Sequence, residues 1–322
     1  MDSAEPTLAP SPLAAVQRRI ASLEANVGRV IRGKPEVIRL AVVSLLARGH
    51  VLIEDVPGVG KTTLAQALAR SVGLSFQRIQ FTSDLLPSDI IGVSIFNQKE
   101  QEFEFVPGPL FAHVVLADEI NRATPKTQSA LLEAMGERKV SVERKRYTLP
   151  QPFVVLATQN PMEYQGTFPL PESQLDRFLM SISIGYPPRR EERELLVSGG
   201  VEGLLDGMKP VIARDELVEM QEAVAEVKVA EKLADYMLTI AEATRNGGDY
   251  LLGVSTRAVQ SIYRAVQALA LAEGRDYAVP DDVQRLAPAV LAHRVVLRRA
   301  GGGLEANREA VRRTVESIPV PL

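Results

Sequence analysis

The sequence lacks cysteine and tryptophan altogether, and only three of its 322 residues are histidine. The absence of cysteine excludes disulfide bonds, thiolate metal sites and a cysteine nucleophile, and it fits a reducing compartment, so we predict a cytoplasmic protein. The histidines, His50, His113 and His293, are scattered, and no HExxH-type cluster occurs. We therefore interpret each histidine as a structural or surface residue and not as a metal ligand.

Long apolar runs and a strong excess of one charge are also absent. No stretch offers 18 uninterrupted apolar residues, so we expect no membrane span. The net charge of −3 provides no overall basic field that would attract nucleic acid. The first fifteen residues lack the basic start and apolar middle of a signal peptide, and we expect residues 1–13 to form a disordered tail. The rest of the chain is long enough for two domains with a large core.

The chain is organised around the segment VLIEDVPGVGKTT, from Val51 to Thr63. The apolar run from Val51 to Ile53 predicts a buried parallel strand, and a helix is predicted from Thr62 to Ser71, after a glycine-rich turn. Such a turn surrounds a phosphate with backbone N–H groups, and the following helix N-terminus adds unpaired N–H groups and a positive dipole end. We therefore predict a nucleotide-binding loop that consists of Pro57, Gly58, Val59, Gly60, Lys61, Thr62 and Thr63.

Two residues of this loop have predicted roles in binding the phosphates and the metal. Lys61 should reach the outer phosphates, and the hydroxyl of Thr62 should bind Mg²⁺. The full pattern has a glycine where this chain has Asp55, so we expect the Asp55 carboxylate to point away from the phosphates. The alternative interpretation of the segment is an ordinary glycine-rich turn.

Strand and helix patterns alternate through the first 187 residues, which predicts an α/β fold with a parallel sheet. Thr124 should cap a helix that ends at Gly136. Pro187-Pro188 should mark a domain boundary, after which the pattern is helical, with the most regular helix from Ser255 to Glu273. Besides the strand before the phosphate loop, strands are expected at 74–81, 113–117, 153–157 and 178–184, and hairpins at 94–106 and 140–149.

Polar residues follow two of these apolar strands. Nucleotide hydrolysis needs a carboxylate that holds a metal and a group that orients water, and strand ends near the phosphates are the expected places for both. Asp118 should hold Mg²⁺ through water, and Glu119 should polarise the attacking water. Asn160 is a candidate to bond the γ-phosphate or the lytic water. The alternatives are two acids that end a strand in solvent and an asparagine that forms a turn before Pro161.

Two arginines are further candidates. Arg177 lies at a predicted helix end in QLDRF, and Arg257 lies two residues into the helix that Ser255 should cap. Because the dipole at a helix start disfavours a cation, an anion should compensate Arg257. A surface salt bridge is the alternative for each arginine.

The segments GVGKTT, LADEINRA, ATQNP, LPESQLDRF and DDVQRLAPAVLAHR together closely resemble the MoxR-type AAA+ ATPases. The two predicted hairpins are similar to the helix-2 insert and to the hairpin before sensor 1 of that clade. Ser255-Thr256-Arg257 differs from the commoner Ser-Pro-Arg, and Asp55 differs from the usual small residue. In the family's terms, GVGKTT matches the Walker A loop, Asp118 and Glu119 match Walker B, Asn160 matches sensor 1, Arg177 matches the arginine finger and Arg257 matches sensor 2.

The resemblance implies a P-loop NTPase core over residues 14–187, with strand order 5-1-4-3-2, and a C-terminal all-α lid domain over residues 188–322. It also implies Mg²⁺-dependent ATP hydrolysis in a ring, usually a hexamer, in which Arg177 reaches a neighbour's γ-phosphate. The implied function is chaperone-like remodelling or maturation of partner proteins, often proteins with a von Willebrand A domain.

Four other functions fit the sequence less well. A GTPase is disfavoured because the NKxD pattern is absent, and a small-molecule phosphotransferase would not need Glu119, Asn160 and Arg177 together. A nucleotide-gated binding module without useful turnover is the non-enzymatic alternative. A nucleic-acid motor of the same clade is favoured only by basic residues between 138 and 146, which have acidic neighbours and a single aromatic residue, Tyr147, so we expect nucleic acid not to be the client.

Overall fold

The computed structural model describes residues 12–143, 145–160, 166–197, 200–298 and 302–321. Residues 1–11 of the expected disordered tail lie outside the described residues. The last two residues of that expected tail, Pro12 and Leu13, begin the first helix, so the tail prediction was wrong for them.

Two helices precede the strand of the phosphate loop. Both bury an apolar stripe, on which Leu23, Val42 and Leu46 are fully buried. Gly60 adopts a positive φ of 96°, which lets the chain turn directly from the loop into the next helix. The elements of this region are α1 (Pro12–Gly28), α2 (Pro35–Leu46), β1 (Val51–Glu54) and α3 (Lys61–Val72).

The middle of the chain supplies the remaining strands of the sheet and both predicted hairpins. Each hairpin is an antiparallel pair of strands, β3 with β4 and β6 with β7. The elements are β2 (Phe76–Gln80), α4 (Pro87–Ile91), β3 (Gly92–Asn97), β4 (Glu102–Pro107), β5 (Val114–Asp118), α5 (Pro125–Glu137), β6 (Lys139–Val142), β7 (Lys145–Thr148), β8 (Val154–Gln159), α6 (Glu172–Leu175) and β9 (Met180–Ile182).

Five strands form one parallel sheet in the order β2-β5-β8-β1-β9. If these five strands are numbered 1 to 5 in chain order and the sheet is read from β9 to β2, the order is 5-1-4-3-2. This confirms the fold predicted from the resemblance. The three inner strands, β5, β8 and β1, are largely apolar and buried because both faces of the sheet are covered there, whereas the edge strand β2 exposes three polar residues. Leu52 and Val115 pack into the apolar core on one face, whereas Ile53 and Leu116, one residue further along each strand, pack into the core on the other.

The prediction that Gly136 ends helix α5 was wrong. Gly136 lies inside the helix, which continues to Glu137, and Arg138 then takes the left-handed conformation at φ 54°. The glycine has a packing role, because a Cβ atom at residue 136 would lie only 2.9 Å from Nη1 of Arg177. A helix interior tolerates this glycine at a cost of about 1 kcal/mol relative to alanine.

The C-terminal region is helical, as predicted, apart from a pair of short antiparallel strands, β10 and β11, that were too short to be detected from the sequence. The predicted cap is confirmed, because Ser255 Oγ accepts a hydrogen bond from the backbone N of Ala258. The elements are α7 (Arg189–Val197), α8 (Glu202–Asp206), α9 (Arg214–Ala225), α10 (Glu231–Asn246), β10 (Tyr250–Leu252), α11 (Thr256–Ala272), α12 (Pro280–Leu291), β11 (Val296–Leu297) and α13 (Gly303–Ser317).

The position of the boundary between the two domains, at Pro187-Pro188, remains a prediction.

Within the parts of the chain that the structure describes, none of the helices combines the length and the apolar character that crossing a bilayer requires.

Candidate nucleotide site

The carboxyl ends of the five parallel strands lie at one edge of the sheet. The phosphate loop, residues 57–63, follows β1, Asp118 ends β5 and Asn160 follows β8. We call this side of the molecule the loop edge. The edge of a parallel sheet at its carboxyl ends is the usual location of ligand sites in α/β folds.

The phosphate loop has the backbone that anion binding requires. Gly58 and Gly60 adopt positive φ angles of 83° and 96°, and a Cβ atom at Gly58 would meet nothing within 4 Å. Nζ of Lys61 donates to the carbonyl oxygens of Asp55 at 2.8 Å and Val56 at 3.3 Å, which holds the ammonium group against the loop. A cavity of about 180 Å³ beside the loop is lined partly by apolar residues, among them Val30, Ile31, Ile184, Pro187 and Leu195.

Asp55 is occupied by backbone contacts, as expected for a carboxylate that does not face the phosphates. Its Oδ1 accepts a hydrogen bond from the N–H of Val56 at 2.9 Å. Its Oδ2 accepts from the N–H groups of Ile184 at 2.6 Å and Gly185 at 2.7 Å. The side chain thereby ties the start of the phosphate loop to the chain that leaves β9.

Asp118 and Glu119 are held by different partners. Oδ1 of Asp118 accepts a hydrogen bond from Thr158 Oγ1 at 2.6 Å, and Oδ2 pairs with Arg78 at 2.6 Å. Glu119 takes the left-handed conformation at φ 56°, and its N–H donates to the same Thr158 hydroxyl at 2.8 Å. Non-glycine residues held in this conformation cluster at functional sites.

The carboxylate of Glu119 is oriented by two further residues. Gln80 Nε2 donates to Oε2 at 2.8 Å, and Nη1 of Arg122 lies 3.2 Å from the same oxygen. Sequence reasoning did not find Gln80, Arg78 or Thr158 as parts of the site. The sequence could have indicated two of them by position, because Gln80 ends one strand of the sheet and Thr158 lies next to the end of another.

Asn160 is almost fully buried and directly follows β8, so it lies at the loop edge with the two acids. Pro161, before which the sequence also allows a turn, lies outside the described residues. Within the described part of the chain, no group of three or more His, Asp or Glu side chains could hold a metal by itself. The hydroxyl of Thr62 and the carboxylate of Asp118 are oxygen donors of the kind that suits Mg²⁺, which is commonly bound by one or two protein groups together with phosphates and water.

Arg177 and Arg257 lie elsewhere in the fold. Both line a cavity of about 440 Å³ that also touches Gly49 and His50, the residues directly before β1, and no residue of the phosphate loop lines it. Arg177 itself precedes β9, so this cavity lies at the amino ends of the strands, and we call this side the arginine edge. Strands of about five residues, each rising about 3.3 Å, place the two edges about 15 Å apart.

The cavity at the arginine edge is lined by five arginines and by two acidic residues, Glu137 and Asp176. Among the described residues, none of the arginines that line this cavity has a carboxylate oxygen within 4.0 Å; they are Arg48, Arg138, Arg177, Arg257 and Arg264. Burial, together with the charges of Arg48 and Arg264, lowers the pKa of Arg138. The predicted alternative of surface salt bridges for Arg177 and Arg257 therefore has no support in the described contacts.

His50, at the start of β1, has a structural role. Its Nδ1 accepts a hydrogen bond from the N–H of Val155 at 3.0 Å, so its Nε2 donates to the carbonyl oxygen of Met135 at 3.2 Å. Complete burial lowers its pKa to about 4. The ring is therefore neutral near pH 7 and joins β1, β8 and α5.

Comparison with known proteins gives two family matches. Residues 50–180 match the ATPase family associated with various cellular activities (AAA), and residues 242–314 match the AAA lid domain. The first match includes the phosphate loop, both acids, Asn160 and Arg177, whereas the second includes Arg257.

Named relatives cover almost the whole chain. The chain is 48% identical over 298 residues to the uncharacterized protein YeaC of Bacillus subtilis, which covers 92% of this chain and 93% of YeaC. It is 43% identical to Chaperone MoxR1 of Mycobacterium tuberculosis, over 92% of this chain and 81% of that protein. It is 34% identical to Protein MoxR of Paracoccus denitrificans, over 94% and 96% of the two chains.

A solved structure agrees with these matches. The crystal structure of a Cytophaga hutchinsonii protein that is described as a candidate ATPase has a TM-score of 0.87 and 35% identity, and the similarity covers 96% of this chain and 97% of that one. The fold, the lid and the named relatives point to the same conclusion. The chain belongs to the MoxR family of AAA ATPases.

Proposed function

We propose that the protein hydrolyses ATP at a site that two copies of the chain share. The loop edge of one copy binds the nucleotide, and the arginine edge of its neighbour completes the site. The observation that carries this proposal is that Arg177 and Arg257 line one cavity at the arginine edge, away from the phosphate loop. Because the sheet separates the edges by about 15 Å, one chain does not bring both edges to the same phosphate.

The loop edge supplies the groups for binding and for activating water. Lys61 would bind the outer phosphates, and Thr62 and Asp118 would hold Mg²⁺, Asp118 through water. Glu119 orients the attacking water and takes its proton, and Asn160 contacts the γ-phosphate or that water. ATP supplies the bond that breaks, and Mg²⁺ supplies positive charge beside its phosphates.

The arginine edge supplies positive charge from the neighbouring copy. Five arginines without an acidic partner within 4.0 Å, as far as the chain is described, make this edge a good place for an external anion. A contact between the loop edge of one copy and the arginine edge of the next is heterologous, and repetition of such a contact closes a ring when the rotation permits. We infer a ring, and the resemblance favours a hexamer.

We propose partner proteins as the clients of this ring. One relative is named Chaperone MoxR1, which supports a chaperone-like function. The β3–β4 hairpin exposes Ile95, Phe96 and Phe103, which are 53%, 49% and 63% exposed. Exposed apolar surface of this kind is typical of contacts with other proteins. Proteins with a von Willebrand A domain are the partners that the resemblance favours.

A nucleic-acid client has less support. Tyr147, the aromatic residue of the basic β6–β7 hairpin, stacks on Phe105 with ring centroids 4.0 Å apart. A ring in this position has one face occupied, so it is a poor platform for a base. Arg144 of the basic cluster lies outside the described residues.

Mixing two inactive variants tests the shared site. Lys61→Ala weakens nucleotide binding at a loop edge, and Arg177→Ala removes the cation from an arginine edge. In mixed rings, the loop edge of an Arg177→Ala copy meets the intact arginine edge of a Lys61→Ala copy, so ATP turnover should partly return. The measurement is steady-state phosphate release, with mixed assembly verified by a tag on one variant.

A second mixture is the control. Lys61→Ala and Glu119→Gln both damage the loop edge, so every site in their mixture carries a defect and turnover should stay absent. Recovery in the control mixture, or no recovery in the test mixture despite mixed assembly, contradicts a site shared between copies. A nucleotide-gated binding module would bind ATP and show no turnover in the wild-type protein.

A further inference from the structure

A buried arginine of the C-terminal region contacts the backbone on both sides of Arg177. Arg294, which is 4% exposed, donates to the carbonyl oxygens of Phe178 at 2.6 Å and Leu179 at 3.3 Å. It also donates to the carbonyl oxygen of Asp176 at 3.2 Å, and its Nε lies 3.0 Å from that residue's carboxylate. One guanidinium group thereby fixes the chain directly before and after Arg177.

The same carboxylate contacts the start of the helix that carries Arg257. Ser255 Oγ donates to Asp176 Oδ2 at 2.8 Å, while it accepts the N–H of Ala258 at 3.0 Å and so caps α11. The Asp176 carboxylate thus forms an ion pair with Arg294 and a hydrogen bond with the residue that caps α11. It connects the segment before β9, which carries Arg177, with the first turn of α11, which carries Arg257.

Packing alone explains neither the contacts of Arg294 around Arg177 nor the hydrogen bond between Ser255 and Asp176. A buried arginine is costly, and burial lowers the pKa of Arg294 to about 10. An apolar side chain would fill the same volume without that cost. The planar guanidinium group of Arg294, however, donates to the carbonyl oxygens of consecutive residues. A lysine ammonium group has no such fixed arrangement of donors.

We propose that Asp176 and Arg294 are positioning residues that hold Arg177 and Arg257 as one unit, so that both guanidinium groups meet the same phosphate of a neighbouring copy. This inference rests on the proposed function. Arg177 and Arg257 lie 80 residues apart in the sequence. Arg177 directly follows Asp176, and Arg257 lies two residues after Ser255, whose hydroxyl donates to the Asp176 carboxylate. Movement of α11 relative to β9 would separate the two arginines, and the network opposes this movement.

The structural test uses distances between spin labels and needs no ATP turnover. The chain contains no cysteine, so Glu172→Cys and Gln260→Cys place one label before β9 and one on α11 without a background signal. Asp176→Asn removes the negative charge that pairs with Arg294, and Arg294→Lys keeps the charge but removes the planar guanidinium group. Both should broaden the distribution of distances between the labels.

A second ion pair with a buried carboxylate provides the matched control. Asp282 is 4% exposed and pairs with Arg275 at 2.6 Å, and neither residue lines the cavity at the arginine edge. Asp282→Asn should lower the unfolding temperature about as much as Asp176→Asn does. It should leave the distance distribution and the turnover number unchanged.

The functional test separates positioning from stability. Asp176→Asn and Arg294→Lys should lower kcat by about tenfold to a hundredfold while the affinity for ATP stays at the wild-type value, because misplacing a catalytic group acts on the transition state. In an Arg177→Ala background, Asp176→Asn should cause a smaller loss of kcat than in the wild type, since one of the two groups that it positions is already absent.

The outcomes distinguish this inference from the proposed function. An unchanged distance distribution in Asp176→Asn overturns the inference, whatever the turnover. The inference also fails if the distribution broadens while kcat is unchanged, or if the losses from Arg177→Ala and Asp176→Asn simply multiply. Wild-type turnover in Arg177→Ala would instead overturn the proposed function, and the label distances would still report on the network.

Discussion

The two edges of the central sheet use charged residues in opposite ways. At the loop edge, Asp55, Asp118 and Glu119 each have several partners within the chain, and their carboxylates are held in place before any ligand binds. At the arginine edge, the cations that line the cavity have no acidic partner within 4.0 Å among the described residues. A cation without an acidic partner is stabilised when an opposite charge arrives from outside. The difference supports our proposal that the arginine edge is half of a site shared between two copies.

The edges also differ in how they are built. The groups of the loop edge directly follow their strands, so the sheet brings them together as soon as the strands pair. The arginine edge needs the C-terminal helices, because Arg257 begins α11 and Arg294 follows α12. A movement of these helices would therefore change the arginine edge more than the loop edge.

The largest expected effect is a separation of ATP binding from ATP turnover at the loop edge. Glu119→Gln should retain ATP binding and lower kcat by about 10²-fold to 10³-fold, the usual effect of removing one positioned group that acts in the transition state. Lys61→Ala should instead weaken ATP binding itself. Equilibrium binding of a fluorescent ATP analogue and steady-state phosphate release measure the two effects. Wild-type turnover in Glu119→Gln would show that the assignment of the water-activating residue is wrong.

Much of the loop edge could be predicted from the sequence because its chemistry is local. Apolar runs predicted the strands, and parallel pairing places Asp118 and Asn160 beside the phosphate loop. Gln80 and Thr158 were not found, because each is an ordinary polar residue in a strand, and only the register of β2 beside β5 and of β5 beside β8 shows that they contact the acids.

The arginine edge was less predictable for the same reason. Arg177 and Arg257 were candidates from the sequence and received their roles through the resemblance, but the sequence did not place them in one cavity. Asp176 and Arg294 lie within the quoted motifs, yet nothing local assigns them a role. Gly136 was misinterpreted as a helix end because its neighbour Arg177 is distant in the sequence. Sequence patterns do not show which distant segments of the chain come into contact.

The hydroxyl of Thr158 offers a finer test of the loop edge. It donates to Asp118 and accepts the N–H of Glu119, and the residue is fully buried. Thr158→Val keeps the shape but leaves both partners without this hydrogen bond, so it should lower the free energy of unfolding by about 1–3 kcal/mol and kcat by about tenfold. Chemical denaturation and phosphate release measure these losses.

The chain contains a matched control for this substitution. Thr244 is also fully buried, donates to the carbonyl oxygen of Ala241 at 2.7 Å and accepts the N–H of Val254 at 3.1 Å. Thr244→Val should therefore cost similar stability and leave kcat nearly unchanged. If both variants lose turnover in proportion to stability, Thr158 has no particular role at the site.

At the arginine edge, Gly136→Ala should have a smaller effect. The added Cβ would lie 2.9 Å from Nη1 of Arg177, at the flexible end of that side chain, so the guanidinium group should shift and kcat should fall severalfold. Stability should not fall, because alanine favours a helix by up to about 1 kcal/mol over glycine. Gly203→Ala in α8, where a Cβ would meet nothing within 4 Å, is the control and should leave kcat unchanged. Unchanged kcat in Gly136→Ala would show that the position of this guanidinium group tolerates the shift.

The smallest expected effect concerns the basic β6–β7 hairpin, which follows α5 close to the arginine edge. If this hairpin extended that edge into a track for a phosphate backbone, DNA affinity would fall steeply with salt, because counterions are released on binding. We expect no appreciable binding of single- or double-stranded DNA near physiological salt and no stimulation of turnover. The control is the double substitution Lys145→Gln and Arg146→Gln, which removes two exposed charges and should leave turnover at the wild-type value. Tight binding of DNA that depends on ATP and stimulates turnover, and that this double variant loses, would extend the comparison to a third charged surface and make nucleic acid the client.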